Sequence, residues 1–264
     1  MNFRNHRKIL IIDGRTGFVG ELNIGDEYQG KSLRFGPWRD THIQLWGPSV
    51  QCLQLTFCKD WYWTQNIFPG AKWQVTPPPH GENQIALVFP TGPVEPIDDC
   101  TYLFCHLIHS AQQRLWIASP YFVPDEPVLT ALKTAALRGV EVRILLPAQA
   151  DHLLVYLSSF SYYSEMQKAG ITLYRYQPGF MHQKVVLVDD AIAGIGTVNL
   201  DNRSFRLNFE IMAFVHDLAF MKQVKAMLTK DFEQSCIVDF KSYTQRWLGF
   251  KLAVHIARLM APLQ

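Results

Sequence analysis

The sequence predicts an α/β protein built on a mixed β-sheet sandwiched by helices, arranged as two related halves of which the first is incomplete. Three observations carry this. The stretch GFMHQKVVLVDDAIAGIGTVNLDNRSF at 179–205 holds a His, a Lys and an Asp spaced H-x-K-x4-D, and the same spacing occurs 176 residues earlier. His6, Lys8 and Asp13 repeat His182, Lys184 and Asp189, and Gly20 and Asn23 repeat Gly196 and Asn199. In both copies four apolar, β-branched or Leu residues lie between the Lys and the Asp, the signature of a buried strand. Finally, the region between the copies alternates strand-like and helix-like periods, as α/β folds do.

Taken in order, strands are expected over 8–12 and 18–22, joined at Asp13-Gly14, a strong turn dipeptide. A glycine-rich polar stretch over 23–36 precedes a strand over 41–46 and a helix over 49–65, which begins after Gly47-Pro48. Residues 69–84 contain Pro77-Pro78-Pro79 and Gly81 and read as a semi-rigid linker. This divides the chain into a first lobe at 1–68, the linker, a second lobe at 85–240 and a tail at 241–264. In the second lobe, strands are expected over 85–89, 114–118, 141–146, 171–176 and 209–215. Helices are expected over 99–112, 126–138, 153–169 and 218–234. Everything from 85 to 176 lacks a counterpart ahead of the first motif. The chain therefore reads as the C-terminal fragment of a longer enzyme, with residues 1–84 less protected than 85–240 and activity weak or absent in isolation.

Composition bounds the function. With 264 residues, 48% hydrophobic and 18% charged, the chain can bury a sizeable core. A net charge of +2 and a pI near 8.2 fall short of the basic footprint of a nucleic-acid binder, so no nucleic-acid partner is expected. Five cysteines without a C-x2-C pair read as structural thiols, and no metal site or cofactor is implied. His106 and His109 stand three apart on a helix without a third ligand, so they read as ordinary histidines.

On a strand, alternate side chains share a face, so His182 and Lys184 project together while Gln183 and Asp189 point away. A His, a Lys and a nearby Asn form a compact site for a phosphate: a nucleophile or proton donor, a fixed cation and an amide. Asp13 and Asp189 complete the two motifs but read as structural groups at the strand ends.

Two H-x-K-x4-D motifs, each followed by G-x-x-N, resemble those of the phospholipase D superfamily. The segments NHRKILIIDG, NIGDEY, SPYFVPDE, GFMHQKVVLVDD and GTVNLDNRSFRLNFE resemble the bacterial cardiolipin synthases in particular. The resemblance implies a phospholipase D-like fold and a catalytic set of His6, Lys8, Asp13, His182, Lys184 and Asp189, with Asn23 and Asn199 binding phosphate. It also implies an acidic residue downstream of each motif that orients that motif's His. Asp40 is the candidate in the first half and Glu210 in the second.

The implied reaction condenses two phosphatidylglycerol molecules into cardiolipin and glycerol through a phosphohistidine, at the bacterial inner membrane and without cofactor or metal. His6 is the expected nucleophile and His182 the acid and base, though the near-symmetry of the halves leaves either assignment open. Glu21 departs from the family pattern, which has Gly or Ser there, and an anion at that position is unhelpful unless turned away. A phospholipase, a nuclease or an inactive module of the same fold would share all these residues. The tail reads as a basic amphipathic helix, with Lys251, His255 and Arg258 on one face and Phe250, Ala253, Ile256, Ala257 and Met260 on the other. It fits an anionic membrane surface and fits equally a helix packed back on the domain.

Overall fold

The computed structural model describes residues 3–78, 83–95, 97–240 and 245–264. The middle of the expected linker, 79–82, and Lys241 of the tail lie outside them.

A nine-stranded mixed sheet dominates. Its centre is the second motif strand, Val185–Val188, antiparallel to Ile192–Gly196 on one side and to Arg114–Ala118 on the other. All four of its residues are buried, as a strand covered on both faces requires. Outward from Arg114–Ala118 the sheet continues with parallel Glu141–Pro147 and Thr172–Tyr176 and ends at antiparallel Ser235–Ile237. On the other flank, Ile192–Gly196 pairs with the long strand Asn208–His216, which also pairs with Ile85–Thr91 and, through Asn208 and Phe209, with the short parallel strand Arg4–Asn5.

One face carries the helices Asp99–Ser110, Glu126–Leu137 and Tyr163–Lys168, whose Phe104, Leu107, Leu129, Leu132 and Met166 join one core. The helix expected over 153–169 is instead two, Leu153–Phe160 and Tyr163–Lys168. The break falls where Ser159 and Ser161 hydroxyls donate to the carbonyls of Tyr156 and Ser158, three residues back. Such local bonds compete with the helical ladder.

Against the other face lies a three-stranded antiparallel sheet, Ile9–Ile12, Thr16–Gly20 and His42–Trp46, with the helices Pro48–Gln65 and Leu218–Glu233. Val19, Ile43, Leu45, Val50 and Leu53 from the first half share a core with Trp116, Val185, Leu187 and Ile195 from the second. The strand expected over 18–22 ends at Gly20, which leaves Glu21 just beyond the strand end.

Asp13 and Asp189 both hold the left-handed conformation, each at φ 53°, at the end of a motif strand. This is a geometry that Asp tolerates better than most residues.

The tail forms the helix Leu248–Leu259, packed back on the second lobe with Val254 and Ala257 buried. The Phe250 ring lies 5.4 Å from that of Phe160, and the Arg258 guanidinium lies 3.7 Å from the centroid of Tyr162. The expected division of faces is thus revised, because Arg258 turns inward onto an aromatic ring while Ile256 turns outward, alongside exposed Leu248, Leu252 and Leu259.

Candidate active site

Two pairs of very short strands bring the motifs together. Arg4–Asn5 runs parallel to Asn208–Phe209, and the chain then delivers His6, whose backbone N–H donates to the carbonyl of Phe209. In the mirror arrangement, Phe180–Met181 runs parallel to Trp38–Arg39, and the backbone N–H of His182 donates to the carbonyl of Arg39. Each motif His is therefore pinned by backbone from the opposite half.

This changes the orienting pairs. The Nδ1 of His6 lies 2.8 Å from Glu210 Oε2, and the Nδ1 of His182 lies 3.2 Å from Asp40 Oδ2. The acidic residue expected to serve its own half serves the other, because the strand crossings place each His beside the partner half's carboxylate. Glu210 is itself fixed by donors from the Ser204 hydroxyl at 2.9 Å and the Asn208 amide at 3.1 Å.

Lys184 is fully buried, with Nζ 3.2 Å from His182 Nε2 and donating to the His182 carbonyl at 2.8 Å. Lys8 donates in the same way to the carbonyl of His6 at 2.9 Å. Gln183 points to the other side, where its amide donates to Asp231 at 2.7 Å. Arg39 reaches the same Asp231 through Nε and Nη2, both at 3.0 Å, and Thr41 donates to Gln183 at 2.6 Å. This network ties the two halves together beneath the site. Sequence reading had no signal for it beyond the alternation that turns Gln183 away.

Glu21 is the centre of the cluster. Its carboxylate is completely buried, and a single oxygen, Oε1, lies 3.0 Å from His6 Nε2, 2.9 Å from Lys8 Nζ and 3.3 Å from Lys184 Nζ. The carboxylate is not turned away from the site, since the surrounding cations draw it in. Groups from both motif copies thus meet on one atom.

Electrostatics differentiate the histidines. Burial alone would lower the pKa of His6, but Glu210 and Glu21 on its two ring nitrogens outweigh that and raise it to about 9. For His182, burial and then the Lys184 charge push the pKa below its ordinary value, against the pull of Asp40 and Glu21. Near neutral pH, His6 is an imidazolium and His182 a neutral ring. With Asp40 accepting from Nδ1–H, the lone pair of His182 sits on Nε2, facing Lys184. Burial lowers the pKa of Lys184, opposed by Glu21 and Asp40. Burial would raise that of Glu21, but Lys184, His6 and Lys8 hold it at about 2.

The remaining expected residues stand at varying distance from this centre. Asn199 is buried beside Ser204, whose hydroxyl accepts from its amide at 3.3 Å, while its Oδ1 has no hydrogen-bond partner among the described residues. Asn23 donates to Tyr28 Oη at 3.1 Å rather than to a group of the cluster. Asp189 accepts from the backbone N–H groups of Gln112, Gln113 and Arg114 at 2.8–2.9 Å, and among the described residues exposed Asp13 forms its ion pair with Lys72. Neither aspartate reaches the histidines, in keeping with their position at the strand ends.

Over His182 stand the rings of Trp38 and Phe180, with centroids at 5.1 and 5.8 Å. Sequence reading did not single these rings out.

A family model described as cardiolipin synthase, PLD-like domain, matches residues 104–232. Cardiolipin synthase A of Pseudomonas putida is 48% identical over 264 residues, and that of Pseudomonas entomophila 48% over 263. In both cases the whole chain is covered, and it spans 54% of the relative's length. Among solved structures, phosphatidylserine synthase from Haemophilus influenzae aligns over 98% of this chain and 71% of its own, with TM-score 0.69 and 14% identity. A phospholipase D family member, Nuc, from Salmonella typhimurium covers 59% of this chain and 99% of its own, with TM-score 0.50 and 19% identity. The likenesses to solved structures concern the fold alone. Residues 104–232 match the PLD-like domain model, and the chain is similar over its whole length to about half of cardiolipin synthase A.

Proposed function

We propose that this chain carries the reaction centre of a phosphatidyltransferase that condenses two phosphatidylglycerol molecules into cardiolipin and glycerol. The observation that carries the reading is the convergence of His6, Lys8 and Lys184, from both motif copies, on one point, with Lys184 also against His182 Nε2. One phosphorus requires all its helpers at one place.

The charge states divide the work. The neutral His182 attacks phosphorus through Nε2, and the charged His6 gives its Nε2 proton to the departing glycerol oxygen. The P–O bond breaks as the P–N bond of a phosphohistidine forms. His6, now neutral, takes the proton of the second lipid's primary hydroxyl, whose oxygen displaces the histidine and returns the site to its starting state. Lys8, Lys184 and the Asn199 amide hold the non-bridging oxygens, while Asp40 and Glu210 orient the two rings. This reverses the sequence-based roles of the two histidines. The carboxylates on His6 outweigh its burial, whereas burial and Lys184 prevail at His182.

The lipid substrate calls for access to a membrane surface. Among the described residues no helix is long and apolar enough to cross one. The outward stripe of Leu248, Leu252, Ile256 and Leu259 on the tail helix, with Trp247 beside it, gives the protein an apolar face for peripheral contact at the bacterial inner membrane.

The test is to incubate the protein with phosphatidylglycerol vesicles and resolve the lipid products. Cardiolipin with stoichiometric glycerol is expected. Phosphatidic acid alone would replace transfer by hydrolysis, and cleavage of DNA with no lipid turnover would replace it by a nuclease.

A further inference from the structure

The transfer steps above use every group of the cluster except Glu21. The internal repeat sets this residue opposite Thr197, whose hydroxyl is turned onto the backbone of Ile211, accepting from its N–H at 2.9 Å. Among the described residues the Thr197 hydroxyl makes no hydrogen bond to His6, Lys8 or Lys184. Glu21, by contrast, reaches among them, and its Oε1 takes all three contacts while its Oε2, also buried, has no hydrogen-bond partner among the described residues. An anionic oxygen bound by two ammonium groups and an imidazolium has the surroundings that a phosphoryl oxygen would need.

We propose that Glu21 is the specificity-determining residue of the site: its carboxylate occupies the place of a substrate phosphoryl oxygen, so that a phosphodiester enters only by displacing it. This rests on the phosphoryl-transfer reading. Two arguments support exchange over co-occupancy. The cluster balances three cations, His6, Lys8 and Lys184, against three carboxylates, Glu21, Glu210 and Asp40. Adding a phosphodiester with Glu21 in place would leave a buried excess of negative charge, whereas displacing Glu21 leaves a surplus positive charge for the phosphate. In addition, His6 Nε2, the nitrogen that must serve the leaving group, is engaged by Glu21 at 3.0 Å until that carboxylate leaves.

The unpartnered Oε2 means that only one carboxylate oxygen is held, which eases departure. A substrate with two acyl chains brings binding energy remote from phosphorus that can drive the exchange, and a small phosphate brings none. The residue thereby favours lipid phosphodiesters over free phosphate and over small soluble diesters.

The experiment measures inorganic phosphate binding by calorimetry, and turnover of bis(4-nitrophenyl) phosphate, in the wild type, Glu21→Ser and Glu21→Gln. Glu21→Gln keeps the side-chain volume and guards against a Glu21→Ser protein that fails to fold around the uncovered lysines. Both variants should bind phosphate at least ten-fold more tightly than the wild type and turn over the small diester faster. Equal phosphate affinity in all three proteins would overturn the role of Glu21 while leaving the phosphate site standing. Absence of phosphate binding in all three would overturn the phosphate site and the proposal together.

Discussion

The strands Ile9–Ile12 and Val185–Val188 belong to two copies of one motif, yet their surroundings are opposite. Val185–Val188 is the centre of nine strands and wholly buried. Ile9–Ile12 is the edge strand of a three-stranded sheet, with Leu10 and Ile12 57% and 49% exposed. The histidines differ in parallel: the His182 side chain is 9% exposed and held neutral, and that of His6 is 28% exposed and held charged. A repeated sequence therefore does not imply repeated chemistry. The shared motif supplies the same groups twice, and unequal burial together with unequal numbers of carboxylates leaves one ring neutral, with a free lone pair, and the other charged, with a proton to give.

The sharpest way to break this comparison is to remove each ring. His182→Ala and His6→Ala should each lower lipid turnover by on the order of a thousand-fold or more, since either step fails without its partner. Turnover that survives in one variant would show that the two copies do not work as one site.

Next in size is the local stability of the two motif strands. Amide exchange along Ile9–Ile12 should be on the order of a hundred-fold faster than along Val185–Val188, because an edge strand of a small sheet opens locally at lower cost. Equal protection would show that the smaller sheet is as firmly held as the larger.

The charge difference also sets the pH dependence. His6 has a folded-state pKa raised above its unfolded value of 6.5, so its contribution to stability is full below 6.5 and is lost as pH rises through about 9. Folding free energy should fall over that window, by on the order of 3 kcal/mol if the whole shift is realised. The profile of kcat/KM, which reports the free enzyme, should follow a bell, with its alkaline limb near 9 where His6 loses its proton and its acid limb below 6.5 where His182 gains one. Glu210→Gln should move the alkaline limb to lower pH. A limb that stays in place would remove Glu210 from the control of His6.

The smallest contrast is between the two motif aspartates. Asp189→Ala strips three backbone N–H groups of their acceptor and should cost ~1–3 kcal/mol. Asp13→Ala, at an exposed position whose carboxylate pairs with Lys72, should change stability by no more than about 0.5 kcal/mol. Thermal melts of the two variants would measure the difference.

Much of this was legible in the sequence because it is local. Apolar runs marked the motif strands, Asp-Gly marked the turn, and alternation separated His182 and Lys184 from Gln183. The crossed pairing of His6 with Glu210 and of His182 with Asp40 was not legible. It is decided by strand pairs only two residues long, such as Trp38–Arg39 with Phe180–Met181, which carry no periodic signal. Glu21 stood out as a departure from the family pattern, but whether its carboxylate turns toward or away from the lysines is a matter of side-chain direction and of charges contributed from 163 residues away by Lys184. The break between Phe160 and Tyr163 was missed because serine hydroxyls compete with a helix only in the assembled backbone.

The most direct test of a single site with divided roles is to locate the trapped phosphoryl group by mass spectrometry, using a phosphodiester with a good leaving group on His6→Ala and on His182→Ala. An adduct on His182 in the first variant and none in the second is the expected result. An adduct on His6 in the His182→Ala protein would contradict it and return the nucleophile to the first motif.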